Sequence, residues 1–483
     1  MKKIVIILTV LLFIQSTMYS NDTINPRHHI IIDTDCAIDD LRAINLLLSS
    51  GDTEVMAITS ADGTLEPEEG FLKIKSLLKY LGHEGIPVSK GITARKDETP
   101  EWRDLAHDMN WGKKILSYKE PPEVKEFLVQ KIEEADEPIE LVCLGPLTNI
   151  ANAIIMKPKI IEKIERIVWF DQCQPREKWT NYGMDCLSAD YILNKEIPII
   201  TIRTNEEPGD FSKSFYESIG EINTPYAQNI HYTHSSEKIL NAVEEGNLKI
   251  WDELAALYVL EPELFEQDKS LPDSLGKVMK VKNSVNVKEK ILKSLESYNK
   301  DDNILFNTFP TDTSLYRKEI QPVADTVIRK YGIKEWKAVV MTTEIHGHVG
   351  LYSIIGAKMG VRALEYFRAN GENTKIESHA GKSPPLSCMN DGLQVASGNT
   401  VGNGSFSIIE DQKTPEAIVH YKNRKLHIQL ETQYLKELER IISKEKEQHG
   451  MKTKEYWENI KQEAVEIWKK WDRKEIFKLE ESN

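Results

Sequence analysis

The stretch HHIIIDTDCAIDD, residues 28 to 40, places four carboxylates, Asp33, Asp35, Asp39 and Asp40, directly behind an apolar run. Asp33 and Asp35 stand two apart and point to one side if the run is a strand. Acids this close repel one another unless a cation lies among them, and hard oxygen donors favour Ca²⁺ or Mg²⁺ over softer metals. The competing reading is a capping cluster on a solvated loop, with Asp39 and Asp40 offset by the N-terminus of the helix they open. Two further groups of ligand-type residues lie far along the chain. Asp252 begins WDELAALYVLEPELF, where a lone aspartate would serve as an N-cap. His346-Gly347-His348 closes KAVVMTTEIHGHVG, read as a strand with both histidines on one face. That spacing suits Zn²⁺ or another transition metal, and equally a packing or hydrogen-bonding pair.

The elements that must position these residues follow from the apolar pattern. Ile30, Ile31 and Ile32 form a β-branched run without polar alternation, expected of a strand buried on both faces. In open α/β sheets ligands bind at the carboxyl ends of such strands. The rhythm then repeats. VMAITSADG is strand and turn, GFLKIKSLLKYLG an amphipathic helix, and IPVSKG a short strand. IELVCLGPLTNIANAI is a strand, a Gly145-Pro146 break and a helix; RIVWF and IPIITIR are strands flanking a loop with Asn181 and Asp185. Alternating units predict an α/β fold with a doubly wound, mostly parallel sheet over residues 28–298. Residues 299–313 are polar and aperiodic and read as a linker. A smaller α+β unit is expected over 314–430, and 431–483 read as a C-terminal helical extension with Trp457, Trp468 and Trp471 as an apolar stripe.

A chain of 483 residues exceeds one typical core, which agrees with two domains. With 62 Lys and Arg against 76 Asp and Glu, the formal charge of −14 argues against a nucleic-acid surface. Residues 1–20 carry Lys2, Lys3 and an apolar run from Ile4 to Ile14, the pattern of a secretory signal peptide too short to span a bilayer. A periplasmic or secreted protein without stable membrane insertion after cleavage is therefore expected. Five cysteines are no disulfide framework in a chain of this size; Cys173 and Cys186 could pair, and the odd count leaves a thiol free.

Taken in order, three segments resemble the inosine/uridine-preferring nucleoside hydrolases. IIIDTDCAIDD resembles that family's DxDPGxDD signature, CLGPLTNIANA its GPLTN motif, and WDELAALYVLEPELF its segment with His-Asp followed by DPELF. The resemblance covers roughly residues 28 to 298. It implies a Ca²⁺ site from Asp35, Asp40, Asp252 and the backbone carbonyl of Leu144, with Asp35 as the base that makes a water nucleophilic. It implies attack at the anomeric carbon of a nucleoside or related ribosyl compound through an oxocarbenium-like state. By the family pattern Asp39 would hold a ribose hydroxyl, Asn181 has the ribose-binding NxxxD spacing to Asp185, and Asp33 would support the ligands from behind. There are departures. The usual Pro-Gly is Cys36-Ala37, the histidine before Asp252 is Trp251, an Asn is Thr64, and the Glu two before Asn181 is Trp179. Trp251 and Trp179 could stack on a nucleobase or belong to the core. A hydrolase is the first reading; a protein that binds or scavenges a ribosyl ligand without turnover, and a structural protein with vestigial sites, stay open. The oligomeric state is open too, a homo-oligomer included.

HGHVGLYSIIGAKMGVRALEYF followed by PPLSCMNDGLQVASGNTVGNGSF resembles the FmdE family, named for formylmethanofuran dehydrogenase, over roughly residues 315 to 430. In that pattern a histidine pair precedes a helix and a cysteine heads C-x-x-D-[AG]-[IL]-Q, matched by Cys388, Asp391 and Gln394. The resemblance implies His346, His348 and Cys388 as a metal and thiolate centre, with Zn²⁺ the candidate and Asp391 behind the ligands. Paired CxxC motifs of a zinc ribbon are absent from the sequence, and only the fold and ligands are carried over, not an activity.

Overall fold

The structure is a computed structural model that describes residues 26–93, 102–172, 178–204, 209–272, 274–298, 305–410 and 413–482. The signal-peptide reading and any pairing of Cys173 lie outside these residues; Cys36, Cys143, Cys186 and Cys388 are free thiols. Among the described residues, no helix is long and apolar enough to cross a membrane.

Eight strands make the first sheet: β1 (His28–Thr34), β2 (Thr53–Ser60), β3 (Val88–Lys90), β4 (Ile139–Cys143), β5 (Ile164–Phe170), β6 (Ile199–Ile202), β7 (Phe265–Gln267) and β8 (Lys277–Val281). Their order is β3-β2-β1-β4-β5-β6-β8-β7, all pairings parallel except the edge pair β7-β8. The chain winds one way from β1 to β3 and the other from β4 onward, so the order reverses between β1 and β4. A crevice at the carboxyl ends of these two strands follows from that reversal. The isoleucine run lies in β1, the central strand, and serves both faces: Ile30 and Ile32 join one core cluster, Ile31 the other.

The second unit holds five strands, β9 (Thr374–Ser378), β10 (Phe406–Ile408), β11 (Glu416–Tyr421), β12 (Arg424–Leu430) and β13 (Phe477–Ser482), in the order β10-β9-β11-β12-β13. Two expectations fail here. KAVVMTTEIHGHVG is not a strand but the second half of the Gln321–His346 helix, broken at Gly332 (φ 83°) and closed by Gly347 (φ 84°). Its β-branched Val-Val and Thr-Thr pairs suggest a strand, yet the buried positions Trp336, Val339 and Thr342 recur at helical spacing. Residues 431–483 are not a helical extension either. The Thr432–His449 and Lys454–Lys470 helices pack into the same core as the strands, and β13 pairs antiparallel with β12 as the sheet's edge. Nor is there one tryptophan stripe. Trp468 stacks on buried Trp336 at 5.1 Å, Trp457 is exposed, and Trp471 meets Tyr434 past the helix end.

The second unit docks on the amino-terminal edge of the parallel sheet. Arg368 caps the end of the Ile38–Ser49 helix, donating to the carbonyls of Leu48 (2.8 Å), Ser50 and Thr53. Arg362 donates to Gly82 O and Glu84, Arg424 to Gly85 O, and Lys474 to Tyr80 O. Tyr421 and Lys422 both meet Glu54 at the start of β2. Buried His83 is held from both sides, its Nδ1 donating to Glu365 O (2.7 Å) and its Nε2 accepting from Tyr226 (2.9 Å).

Candidate functional site

The carboxylate cluster forms where β1 runs out. Asp33, still in the strand, accepts from Thr59 (2.5 Å) and from Asn149 of the GPLTN run (2.8 Å), both at Oδ1, while its buried Oδ2 has no partner. Burial pushes its pKa up to about 6. The turn that lacks Pro-Gly is built on a left-handed Cys36 (φ 63°). Thr34 Oγ1 accepts from the Cys36 amide (3.1 Å) and donates to Asp40 Oδ1, and Asp40 Oδ2 accepts from the Ala37 amide (3.1 Å). Asp40 therefore heads the Ile38–Ser49 helix with its side chain turned back over the turn.

Asp35 is buried between two glycines. A Cβ on Gly63 would fall 2.1 Å from its Oδ2, and one on Gly145 would fall 2.9 Å from its Cβ. Its Oδ2 accepts from the Thr64 amide at 2.7 Å. Asp252 is not the N-cap that its position suggests: its side chain bonds no amide of the Glu253–Leu260 helix, and its Oδ1 is buried without a partner. Among the described residues, Asp39, Asp40 and Asp252 are the set of three whose ligand atoms all lie within 4.8 Å of one another. Asp39 thus stands with the ligand-type carboxylates, and Asp35 stands beside them rather than in the set.

The electrostatics match. Burial first, then the Asp39 charge, hold the Asp35 carboxyl up at about 7 against the Thr64 hydrogen bond. Burial and mutual repulsion push Asp40 and Asp252 well up. A buried group of acids with an orphaned oxygen is unfavourable alone and fits a hard divalent cation with oxygen ligands. The Leu144 carbonyl accepts from Asn181 Nδ2 (2.9 Å), which also reaches Phe170 O (2.9 Å). Asn181 therefore clips the ends of β4 and β5 together, and the carbonyl keeps a second lone pair. Asp185 accepts from Thr148 (2.6 Å) and caps the Cys186–Leu193 helix through the Ser188 amide.

The tryptophans separate. Trp179, half-buried, meets the edge of Trp102 at 6.4 Å, and Trp102 Nε1 donates to Thr64 Oγ1 (3.2 Å), the residue whose amide holds Asp35. Trp251 is exposed and makes no ring contact among the described residues. Sequence alone does not single out Trp102, because one aromatic in the charged run TPEWRDLAHD carries no periodic signal.

In the second unit His346 is the last residue of its helix, and the turn at Gly347 brings His348 back so that the rings lie 4.3 Å apart. Asp391 accepts from His346 Nδ1 (2.7 Å), leaving the imidazole's Nε2 buried without a partner. Trp457 presents its ring to His348 at 5.4 Å. Cys388 directly precedes the Met389–Ser397 helix without capping it, half-buried, its thiol pushed up by burial and by Asp391 rather than poised as a thiolate. The three predicted ligands do not close into a set of the kind formed by the aspartates.

With this geometry established, two families match the chain. The one described as inosine-uridine preferring nucleoside hydrolase covers residues 30–302, more than half the chain. This chain belongs to the inosine-uridine preferring nucleoside hydrolase family. The second, described as FmdE, molybdenum formylmethanofuran dehydrogenase operon, covers residues 345–478 and so runs into β13. Among relatives of this nucleoside hydrolase chain is the pyrimidine-specific ribonucleoside hydrolase RihA of Enterobacter sp. (strain 638), 32% identical over 186 residues. RihA of Escherichia coli (strain SMS-3-5 / SECEC) is 30% identical over the same length. The match takes in 35% of this chain and spans 58% of the length of those relatives. Similar solved structures include a plant nucleoside hydrolase, PpNRh1 (21% identity, TM-score 0.46, 56% of this chain and 99% of that chain). Another is a purine-preferring ribonucleoside hydrolase from Gardnerella vaginalis (19%, 0.45, 56% and 97%). Of the departures from the signature, Cys36 and Thr64 adjoin Asp35, Trp179 meets Trp102 beside Thr64, and exposed Trp251 directly precedes Asp252.

Proposed function

We propose that the chain hydrolyses the N-glycosidic bond of a ribonucleoside or related small ribosyl compound. The observation that carries this is the trio Asp39, Asp40 and Asp252, with its orphaned buried oxygen, set beside Asp35. Ca²⁺ held by these carboxylates and the Leu144 carbonyl would supply Lewis-acid activation of a water and a hold on ribosyl hydroxyls. Asp35, fixed by the Thr64 amide between two glycines, takes the proton of the attacking water. The surrounding negative charge favours the cationic sugar that forms. Trp102 and Trp179 offer aromatic faces next to Thr64 for the base.

Ribose release from a panel of nucleosides tests this reading. The expected result is turnover that Asp35→Asn lowers by about 10²–10⁴-fold, the range of a lost general base, with Ca²⁺ still bound. Trp251, whose indole N–H can donate a hydrogen bond but is far too weak an acid to protonate a leaving base, favours a second reading, retention of a ribosyl ligand without cleavage. Thermal protection by a nucleoside with no ribose released would support that version. For the second unit we propose a transition-metal site on His346 and His348, Zn²⁺ being the candidate, because His346 offers an unpartnered Nε2 oriented by Asp391. Cys388 would join it only as a thiolate formed on metal binding. Export through the pattern at residues 1–20 completes the proposal, tested by the N-terminus of the mature protein.

A further inference from the structure

A buried ion pair joins the two helices that carry the carboxylates. Arg42 lies one turn into the Ile38–Ser49 helix, behind Asp39 and Asp40; Glu253 is the first residue of the helix behind Asp252. Arg42 Nε donates to Glu253 Oε1, and both side chains are almost fully buried. Glu253 Oε2 accepts from the Trp251 amide at 3.0 Å. Glu253 thereby serves a backbone amide at the start of this helix, and the Asp252 carboxylate remains free to face Asp39 and Asp40. The guanidinium has little freedom. Nη2 donates to Lys249 O (2.6 Å), Nη1 reaches His234 Nε2 (3.2 Å), and its carbon lies 4.3 Å from the centre of the Phe211 ring. His234 accepts from Arg42 because its Nδ1 donates to Ile230 O (2.8 Å).

Burying such a pair gains little stability over apolar residues of the same size. As a pair it adds no net charge beside the carboxylate cluster, although the Arg42 charge acts on Asp39 against the effect of burial. What it fixes is distance and orientation between two helix N-termini that otherwise meet through apolar side chains and through the Asp252 carboxyl set against Asp39 and Asp40. We infer that Arg42 and Glu253 are positioning residues that set the gap between Asp252 and the Asp39-Asp40 pair to the size of the bound divalent cation. This rests on the reading above that those carboxylates hold such a cation.

The test is isothermal titration of the full-length, metal-stripped protein with Ca²⁺ and with Mg²⁺, alongside thermal unfolding in chelator. The double variant Arg42→Met/Glu253→Leu replaces the pair by apolar groups of similar volume. The expected result is unfolding in chelator at or above the wild-type temperature, with Ca²⁺ affinity reduced at least fivefold and preference over Mg²⁺ diminished. Arg42→Lys, which keeps the charge and loses the fork, should show the same loss of affinity and serves if the double variant fails to fold. Affinity within fivefold of wild type in whichever variant folds overturns the inference. Wild-type protein that binds no Ca²⁺ overturns instead the reading on which it rests, as does Asp252→Asn binding Ca²⁺ as tightly as wild type.

Discussion

At position 36 the backbone takes a conformation that the family's signature residue cannot adopt. Cys36 has φ 63°, and proline is held near −65°, so the turn between Asp35 and Asp40 is a different solution to the same task. Its support is Thr34, whose hydroxyl bonds the Cys36 amide and Asp40 together. Restoring the signature with Cys36→Pro should therefore weaken the protein, by about 2 kcal/mol or more, measured by chemical denaturation. Cys36→Gly should fall within about 1 kcal/mol of wild type, since glycine takes the left-handed region freely while the packing of the sulfur is lost. The spacing of the acids made Asp35, Asp40 and Asp252 legible in sequence. What Thr64 and Trp102 do was not, because Thr64 reaches Asp35 through its amide across 29 residues of chain, and Trp102 reaches the Thr64 hydroxyl across a further 38.

The elements explain why the acids are costly together and where they are tolerable. Asp39 and Asp40 lie in the first turn of one helix and Asp252 just before another, while Asp33 stands near the end of a strand buried on both faces and Asp35 just past it. In the metal-free protein their pKa values are raised from the ordinary 3.8, Asp33 to about 6, Asp35 to about 7, and Asp40 and Asp252 well up, burial being the first cause throughout. Folded carboxyls then hold protons that the unfolded chain has released. This part of the stability is complete below about pH 4 and is lost as pH rises through 7. Ca²⁺ competes with those protons. The gap in unfolding temperature between Ca²⁺-loaded and chelated protein should widen steadily from pH 5 to pH 8, and Asp252→Asn should narrow it. The strand and helix alternation of the first unit was readable because its periods are clean. The Gln321–His346 helix was not, because β-branched pairs hide a helical burial pattern that only packing against Trp468 and its neighbours reveals.

At the scale of the molecule, the two units are locked by groups that no local pattern announces, since the partners stand hundreds of residues apart. Arg368 alone joins residue 368 to the carbonyls of Leu48, Ser50 and Thr53. Arg368→Ala should split a single thermal transition into two, seen by calorimetry, because buried carbonyls lose a charged donor. His83 gives the same interface a pH dependence. Burial lowers its pKa from 6.5 to about 3, so it is neutral when folded and protonated when unfolded between those values. Its contribution is present above pH 6.5 and lost as pH falls through that range, on the order of 1 kcal/mol per pH unit. His83→Gln should flatten that slope in unfolding measured from pH 7 to pH 5. Docking on the amino-terminal edge of the sheet also sets where the two candidate centres stand. The 12-residue helix behind Asp39 runs about 18 Å to the seam, and the 17-residue helix beyond His348 runs about 25 Å from it. The aspartates and the histidines thus stand at the ends of helices that lead away from the seam on opposite sides. One polypeptide therefore delivers two candidate centres in fixed one-to-one number, each held at a set distance from the seam by the length of a single helix.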